Sequence, residues 1–176
     1  MIEKWLEKEW SEENVGILAI IFSIACFIYA LFFCFFNAIV FKNFFLPITY
    51  FADFWEYFTL YRWKTIFILL FFGALEDVIW RALPLSLGYI LVKKKNYLSD
   101  WMLLSIAIIF SLGFALSHKS NFNLLIQWPM GIAWSLIFLM AGGYQGKFLR
   151  GLIATIISHW LYNIILLITG AIFVLF

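Results

Sequence analysis

Apolar residues run along this chain in five long blocks divided by short polar breaks. The first block, from about Val15 to Phe41, contains no charged residue. At 1.5 Å of rise per residue, a helix of that length crosses roughly 30 Å of hydrocarbon with some tilt. The second, about Lys64 to Val92, carries Glu76, Asp77 and Arg81 near its middle, then Pro84, and ends at Lys93, Lys94 and Lys95. Pro84 removes a backbone donor and predicts a kink just after Arg81. The third block runs from about Asp100 to His118 and the fourth from about Leu124 to Met140, with Gly142 and Gly143 as the turn after it. Lys147 and Arg150 introduce the last, about Leu149 to Leu175. Asn43 to Trp63 fits the pattern less well, because Phe and Tyr dominate it while Pro47, Asp53 and Glu56 interrupt it. It reads as an interfacial helix or as a short, poor span, so the pattern predicts five spans, or six if this stretch crosses.

Composition turns that pattern into a class. The 176 residues are 65% hydrophobic and only 12% charged, far from the usual soluble mix. The expectation is an integral membrane protein, an all-α, polytopic transmembrane helix bundle. A net charge of +2 with scattered Lys and Arg offers no nucleic-acid surface. Residues 1–14 mix Lys4 and Lys8 with five Glu, Trp5, Leu6 and Trp10, which suits an N-terminal interfacial or flexible segment. They lack the basic start of a signal peptide, so the first block reads as a retained anchor. Cys26 and Cys34 stand eight residues apart on one predicted helix, about 12 Å, too far for a bridge between them; they read as packing or lipid-facing residues. With five spans, Lys4, Lys8, Lys93, Lys94, Lys95, Lys147 and Arg150 share a side against Lys42, Arg62, Lys64 and Lys119, which makes the N-terminus cytoplasmic. With six, the two sides nearly balance.

Charges inside a span need partners or a task. Each of Glu76, Asp77 and Arg81, left alone at the centre of a spanning helix, costs roughly 2.5 to 3.5 kcal/mol. Asp77 and Arg81 are four apart with the acid first, the favourable order for an ion pair on one helical face. Glu76 points about 100° away. It is expected to face the bundle interior, with Gly73 leaving room beside it for water or a substrate backbone, and a carboxylate so placed suits proton transfer. Ser111, Phe114 and His118 form one stripe on the third span, with Phe114 packed on the imidazole. Gly151, Thr155, His159 and Asn163 recur every four residues on the last span, a stripe that cannot face lipid comfortably. Gly131 and Ser135 form a small-xxx-small pair that lets helices approach closely. Taken singly, each feature has a plainer account: a buried ion network, an interfacial histidine, or polar glue between helices at about 0.6 kcal/mol per contact.

Together, Glu76-Asp77-x-x-x-Arg81, Phe114-x-x-x-His118 and His159-x-x-x-Asn163 resemble the three motifs of the CPBP intramembrane proteases. That family includes the Ras-converting CAAX endopeptidase and bacterial proteins linked to bacteriocin processing and self-immunity. The resemblance covers about Lys64 to Leu175, with the motifs in the right order on three separate spans. Asp77 departs from the second Glu usual in the first motif.

The resemblance implies an endopeptidase with Glu76 as the base that activates water and His118 assisting proton transfer. It also implies His159 and Asn163 as donors to the oxyanion, Arg81 as a partner of the carboxylates, and no metal or other cofactor. It divides the chain into residues 1–14, the N-terminal segment; 15–63, a first span plus an interfacial or poor second one; and 64–176, a catalytic helical core. The implied partners are a peptide or membrane-protein substrate and membrane lipid, with no nucleic acid, and the implied location is a bacterial plasma membrane. Other functions stay open on the residues alone. Glu76, His118 and His159 are a ligand set for a zinc protease, although no His-Glu-x-x-His helix is present. The fold could also serve a non-catalytic immunity or scaffold protein, whereas an ion carrier is expected to show paired repeats that are not seen.

Overall fold

In lipid every backbone N–H and C=O must be satisfied within its own segment or by a neighbour, so apolar blocks of this length fold as helices. A computed structural model describes residues 10–41, 55–56, 58–60, 63–95, 100–118 and 121–175, and no strand occurs among them. The helices are α1 (Glu12–Phe41), α2 (Trp63–Asp77), α3 (Leu83–Lys95), α4 (Asp100–Ser117), α5 (Asn121–Ala141) and α6 (Phe148–Leu175). Most of the proposed N-terminal segment, and most of the doubtful Asn43 to Trp63 stretch, lie outside the described residues. α1 starts where a cap allows it. Ser11 accepts from the Asn14 N–H at 3.2 Å, and Glu12 and Glu13 occupy the first turn, where the helix dipole favours acids.

Two prolines set local geometry. Pro84 has no N–H to give and its ring crowds the preceding turn. The expected kink takes the form of a π turn, Val78–Ala82, closed by the Leu83 N–H on the Val78 carbonyl. It joins α2 to α3 as one helical run and widens it just beyond Glu76 and Asp77. Pro129 lies inside α5 and leaves the carbonyl of Leu125 without its helical donor. Tyr29 of α1 fills that gap, its hydroxyl donating to the Leu125 carbonyl at 2.8 Å. The turn predicted at Gly142 and Gly143 extends to Gly146, whose φ of +77° is cheap only for glycine.

The polarity of the bundle is inverted relative to a soluble domain. Ile17, Ile24, Phe32, Phe67, Phe71, Ile109, Ile153 and Ile164 are exposed, whereas Ser23, Thr65, Asp77, Arg81, Ser135, Thr155 and Ser158 are buried. Three described helices, Glu12–Val40, Leu124–Ala141 and Phe148–Ile172, are long and apolar enough to cross a membrane, and Trp101–Ser117 is a shorter apolar helix. The fold is therefore a membrane helix bundle, with three such helices among the described residues where five or six spans were expected. Two expected spans make the difference: α2 and α3 are divided by the π turn, with the charged cluster at the end of α2 and in that turn, and the apolar part of α4, Trp101–Ser117, is shorter.

Close approach of helices depends on small residues. A Cβ at Gly131 of α5 would meet the Ser111 Cβ of α4 at 2.9 Å, and the Ser111 and Ser135 hydroxyls lie 3.4 Å apart. A Cβ at Gly151 of α6 would meet the Phe138 carbonyl at 2.6 Å. α1 and α6 run parallel, because Arg150 donates to the Trp10 carbonyl near their starts and the Ser23 and Ser158 hydroxyls meet at 3.0 Å further along. The α2–α3 run is antiparallel to α6. Trp160 donates to the Leu70 carbonyl at 2.8 Å, and the Tyr89 ring packs edge-on against Phe148 at 5.4 Å. Cys26 and Cys34 are buried packing residues.

Tyr29→Phe should lower stability in detergent by about 0.6 to 1 kcal/mol, the range for such hydrogen bonds. In a Pro129→Ala background the residue 129 N–H can serve the Leu125 carbonyl instead, so the same change should cost much less. Equal losses in both backgrounds, measured by reversible unfolding, would detach Tyr29 from Pro129.

Candidate active site

The charged cluster is placed by the end of α2 and the π turn that follows it. Asp77 and Arg81 are fully buried, and Arg81 Nη1 donates to Asp77 Oδ1 at 2.5 Å. The guanidinium carbon lies 4.3 Å from the Phe114 ring centroid and 4.9 Å from that of Trp134. Arg81 Nε and Nη2 have no hydrogen-bond acceptor among the described residues, so the ring faces are the cation's remaining partners. Such contacts are worth about 2 kcal/mol when desolvated. The second carboxylate oxygen of Asp77 lies 3.3 Å from His159 Nδ1. Because Arg81 identifies that carboxylate as ionised, and so acceptor-only, the hydrogen is assigned to Nδ1.

His159 is thereby aimed. Its face stacks on Trp134 with centroids 4.2 Å apart and planes 22° apart, and Nε2 lies 4.0 Å from Glu76 Oε2. That distance is beyond a direct hydrogen bond. Glu76 faces the cavity between the helices, beside Gly73, while Asp77 is the more deeply buried acid: it is 0% exposed and the Glu76 side chain 32%. Neighbours on a helix point about 100° apart, so only one of the two acids can face Arg81 in the core; the other stands at the cavity wall.

That cavity, about 190 Å³, is lined by Glu76, Gly73 and the apolar Ile68, Leu69 and Phe72 of α2, by His118, by Gln127 of α5, and by His159, Tyr162 and Asn163 of α6. His118 follows the last turn of α4, its ring edge-on to Phe114 at 4.7 Å. Its Nδ1 lies 2.9 Å from the Phe114 carbonyl, which only accepts, so Nδ1 carries the hydrogen. A Cβ on Gly73 would stand 3.6 Å from both His159 and Asn163, so this glycine adjoins those two residues. Gln127 and Asn163 are 8% and 9% exposed; neither carboxamide hydrogen-bonds to a described residue.

The four residues expected to do chemistry, Glu76, His118, His159 and Asn163, line one cavity, with Asp77, Arg81 and Phe114 packed behind it. Sequence reasoning missed Gln127, Trp134 and Tyr162. Gln127 carried a usable signal, a polar side chain within an apolar span. Trp134, seven residues on and so on the same face, carried none that distinguishes it from core packing. No three His, Cys, Asp or Glu among the described residues are placed to hold a metal ion. A larger groove of about 790 Å³ runs between the starts of α1 and α6, away from this chemistry. The cavity assembles a carboxylate, two imidazoles and two carboxamides, the groups needed to move protons and to face a developing oxyanion.

Fold and site together define a helical membrane protein with an ionisable centre among its helices. Residues 58–165 match the model of the Type II CAAX prenyl endopeptidase Rce1-like family. The chain belongs to that family, which makes it a membrane-embedded peptidase of the CAAX protease type acting on peptide or protein. Neither a curated protein nor a solved structure matches it.

Asp77→Asn should destabilise the protein by about 3 to 5 kcal/mol, because it strands a buried Arg81. Asp77→Asn combined with Arg81→Met should recover much of that loss. Unfolding in detergent that leaves the single variant at wild-type stability would show that the ion pair does not hold the bundle.

Proposed function

We propose that the chain is an intramembrane endopeptidase in which Glu76 activates water, His159 and Asn163 face the oxyanion, and His118 assists proton transfer. The observation that supports this reading is the convergence of these four residues, carried by α2, the end of α4, and α6, on one cavity. Glu76 is the accessible acid there, as a base that must reach water has to be. Asp77 is a positioning residue, since both of its oxygens are engaged, one by Arg81 and one by His159.

Charge count orders the steps. Arg81 cancels Asp77, so the ionised Glu76 leaves one negative charge at the cavity, and a proton on His159 Nε2 neutralises it. As water adds to the scissile carbonyl, its proton passes to Glu76 and the negative charge moves to the carbonyl oxygen. The site stays neutral, which matters where low dielectric makes an unbalanced charge expensive. His159 Nε2–H and the Asn163 amide donate to that oxygen. The C–N bond then breaks as the leaving nitrogen takes the proton that Glu76 received from water, directly or relayed through His118 Nε2, giving a carboxylic acid and an amine. His159 lies about 16 Å along α6 from its start, near mid-depth of a roughly 30 Å hydrocarbon layer. The substrate is a peptide or membrane-protein segment able to reach that depth.

We also infer five crossings. α1 is parallel to α6 and the α2–α3 run is antiparallel to both, so the chain leaves α1 and enters α2 on the same face. With Cys26 and Cys34 replaced by Ala, single cysteines at Glu12 and Lys147 should label from one side of sealed vesicles and one at Lys64 from the other. Labelling of Glu12 and Lys64 from one side and Lys147 from the other would favour six.

Glu76→Gln should fold and bind peptide but not cleave it, since an amide cannot take the proton. Asn163→Ala should lower kcat by about 10²- to 10³-fold with little change in KM. Cleavage by Glu76→Gln at the wild-type rate would remove it as the base. A raised KM at unchanged kcat would move Asn163 to substrate binding, and unchanged kinetics with lower stability would make it packing glue.

A further inference from the structure

Gln127 takes no part in those proton transfers, yet the residue is 8% exposed, lines the cavity and makes no side-chain hydrogen bond to a described residue. Its nitrogen and oxygen are not among the side-chain atoms sealed from the surface without a partner, so they open on the cavity, where a carboxamide bonds whatever enters, water or a ligand's polar groups. Its position is fixed from both sides. Leu125 is tied to α1 through Tyr29, and Trp128 donates to the Ile108 carbonyl of α4 at 3.3 Å. The side chain is thus held by an anchored turn, on a cavity whose α2 wall is the apolar Ile68, Leu69 and Phe72.

A carboxamide offers N–H donors and a carbonyl acceptor, the complement of a peptide unit. Resting on the endopeptidase reading, we propose that Gln127 binds the substrate main chain at a peptide unit flanking the scissile bond. Its N–H donates to a substrate carbonyl and its oxygen accepts a substrate N–H. Those groups are internally bonded in a helix and free in an extended chain. The substrate therefore enters the cavity locally unwound, and Gln127 replaces hydrogen bonds that unwinding within the membrane removes.

The test is Gln127→Met, similar in length, unbranched and apolar, assayed beside peptides in which one flanking amide is replaced by an ester. KM should rise roughly 5- to 30-fold, as for two neutral hydrogen bonds, with kcat within about twofold and thermal stability unchanged. One ester position should raise KM for the wild type and have no further effect on Gln127→Met. An unchanged KM, an ester effect undiminished in the variant, or a kcat loss matching that of Asn163→Ala would overturn the assignment. If the wild type cleaves no peptide, the endopeptidase reading fails. Binding of the same peptides to Glu76→Gln, with and without Gln127→Met, still judges Gln127: weaker binding supports it and equal binding overturns it.

Discussion

The Asp77 carboxylate ties the site to the fold. One oxygen takes Arg81 and the other takes His159, so a single side chain links α2, the π turn and α6 in a place without solvent. In such a setting the pair is held by geometry as much as by attraction, since desolvating two charges nearly offsets what their Coulomb interaction returns. The rings of Phe114 and Trp134 complete the cage around the guanidinium, and Trp134 also flanks the imidazole of His159. What stabilises the charges therefore also orients the ring that faces the cavity.

The rest of the bundle serves that arrangement. Small residues at Gly131 and Gly151 bring α4, α5 and α6 within backbone reach. Pro84 is accommodated by a π turn placed just after the two acids, and π turns of this kind recur at functional sites. Pro129 frees a carbonyl that Tyr29 takes, which ties the start of α5, and with it Gln127, to α1. The apolar exterior carries no chemistry, and its task is to meet lipid.

Much of this was legible in the sequence because a membrane makes polar residues conspicuous. Glu76, Asp77, Arg81, His159 and Asn163 stood out as groups that lipid cannot accept, and helical periodicity placed Asp77 with Arg81 and His159 with Asn163. Periodicity could not decide which of two adjacent acids faces the core, because that depends on where Arg81, Phe114 and Trp134 lie in space. Trp134 was invisible for a related reason: an aromatic residue in an apolar span looks the same whether it meets lipid, another ring or an imidazole. The π turn was also beyond reach, since Pro84 announces a disturbance without saying which form it takes. Gln127 could have been found by the rule that found His159.

The central claim is that Asp77 holds His159 by Nδ1–H and so turns Nε2 to Glu76 and the cavity. The chain has two histidines, so ¹⁵N-histidine NMR of the wild type and of His118→Gln resolves them without ambiguity. A protonated Nδ1 on His159, lost or exchanged for the other tautomer in Asp77→Asn combined with Arg81→Met, is the result predicted. An unprotonated Nδ1 on His159 in the wild type, with the hydrogen on Nε2 alone, would contradict it.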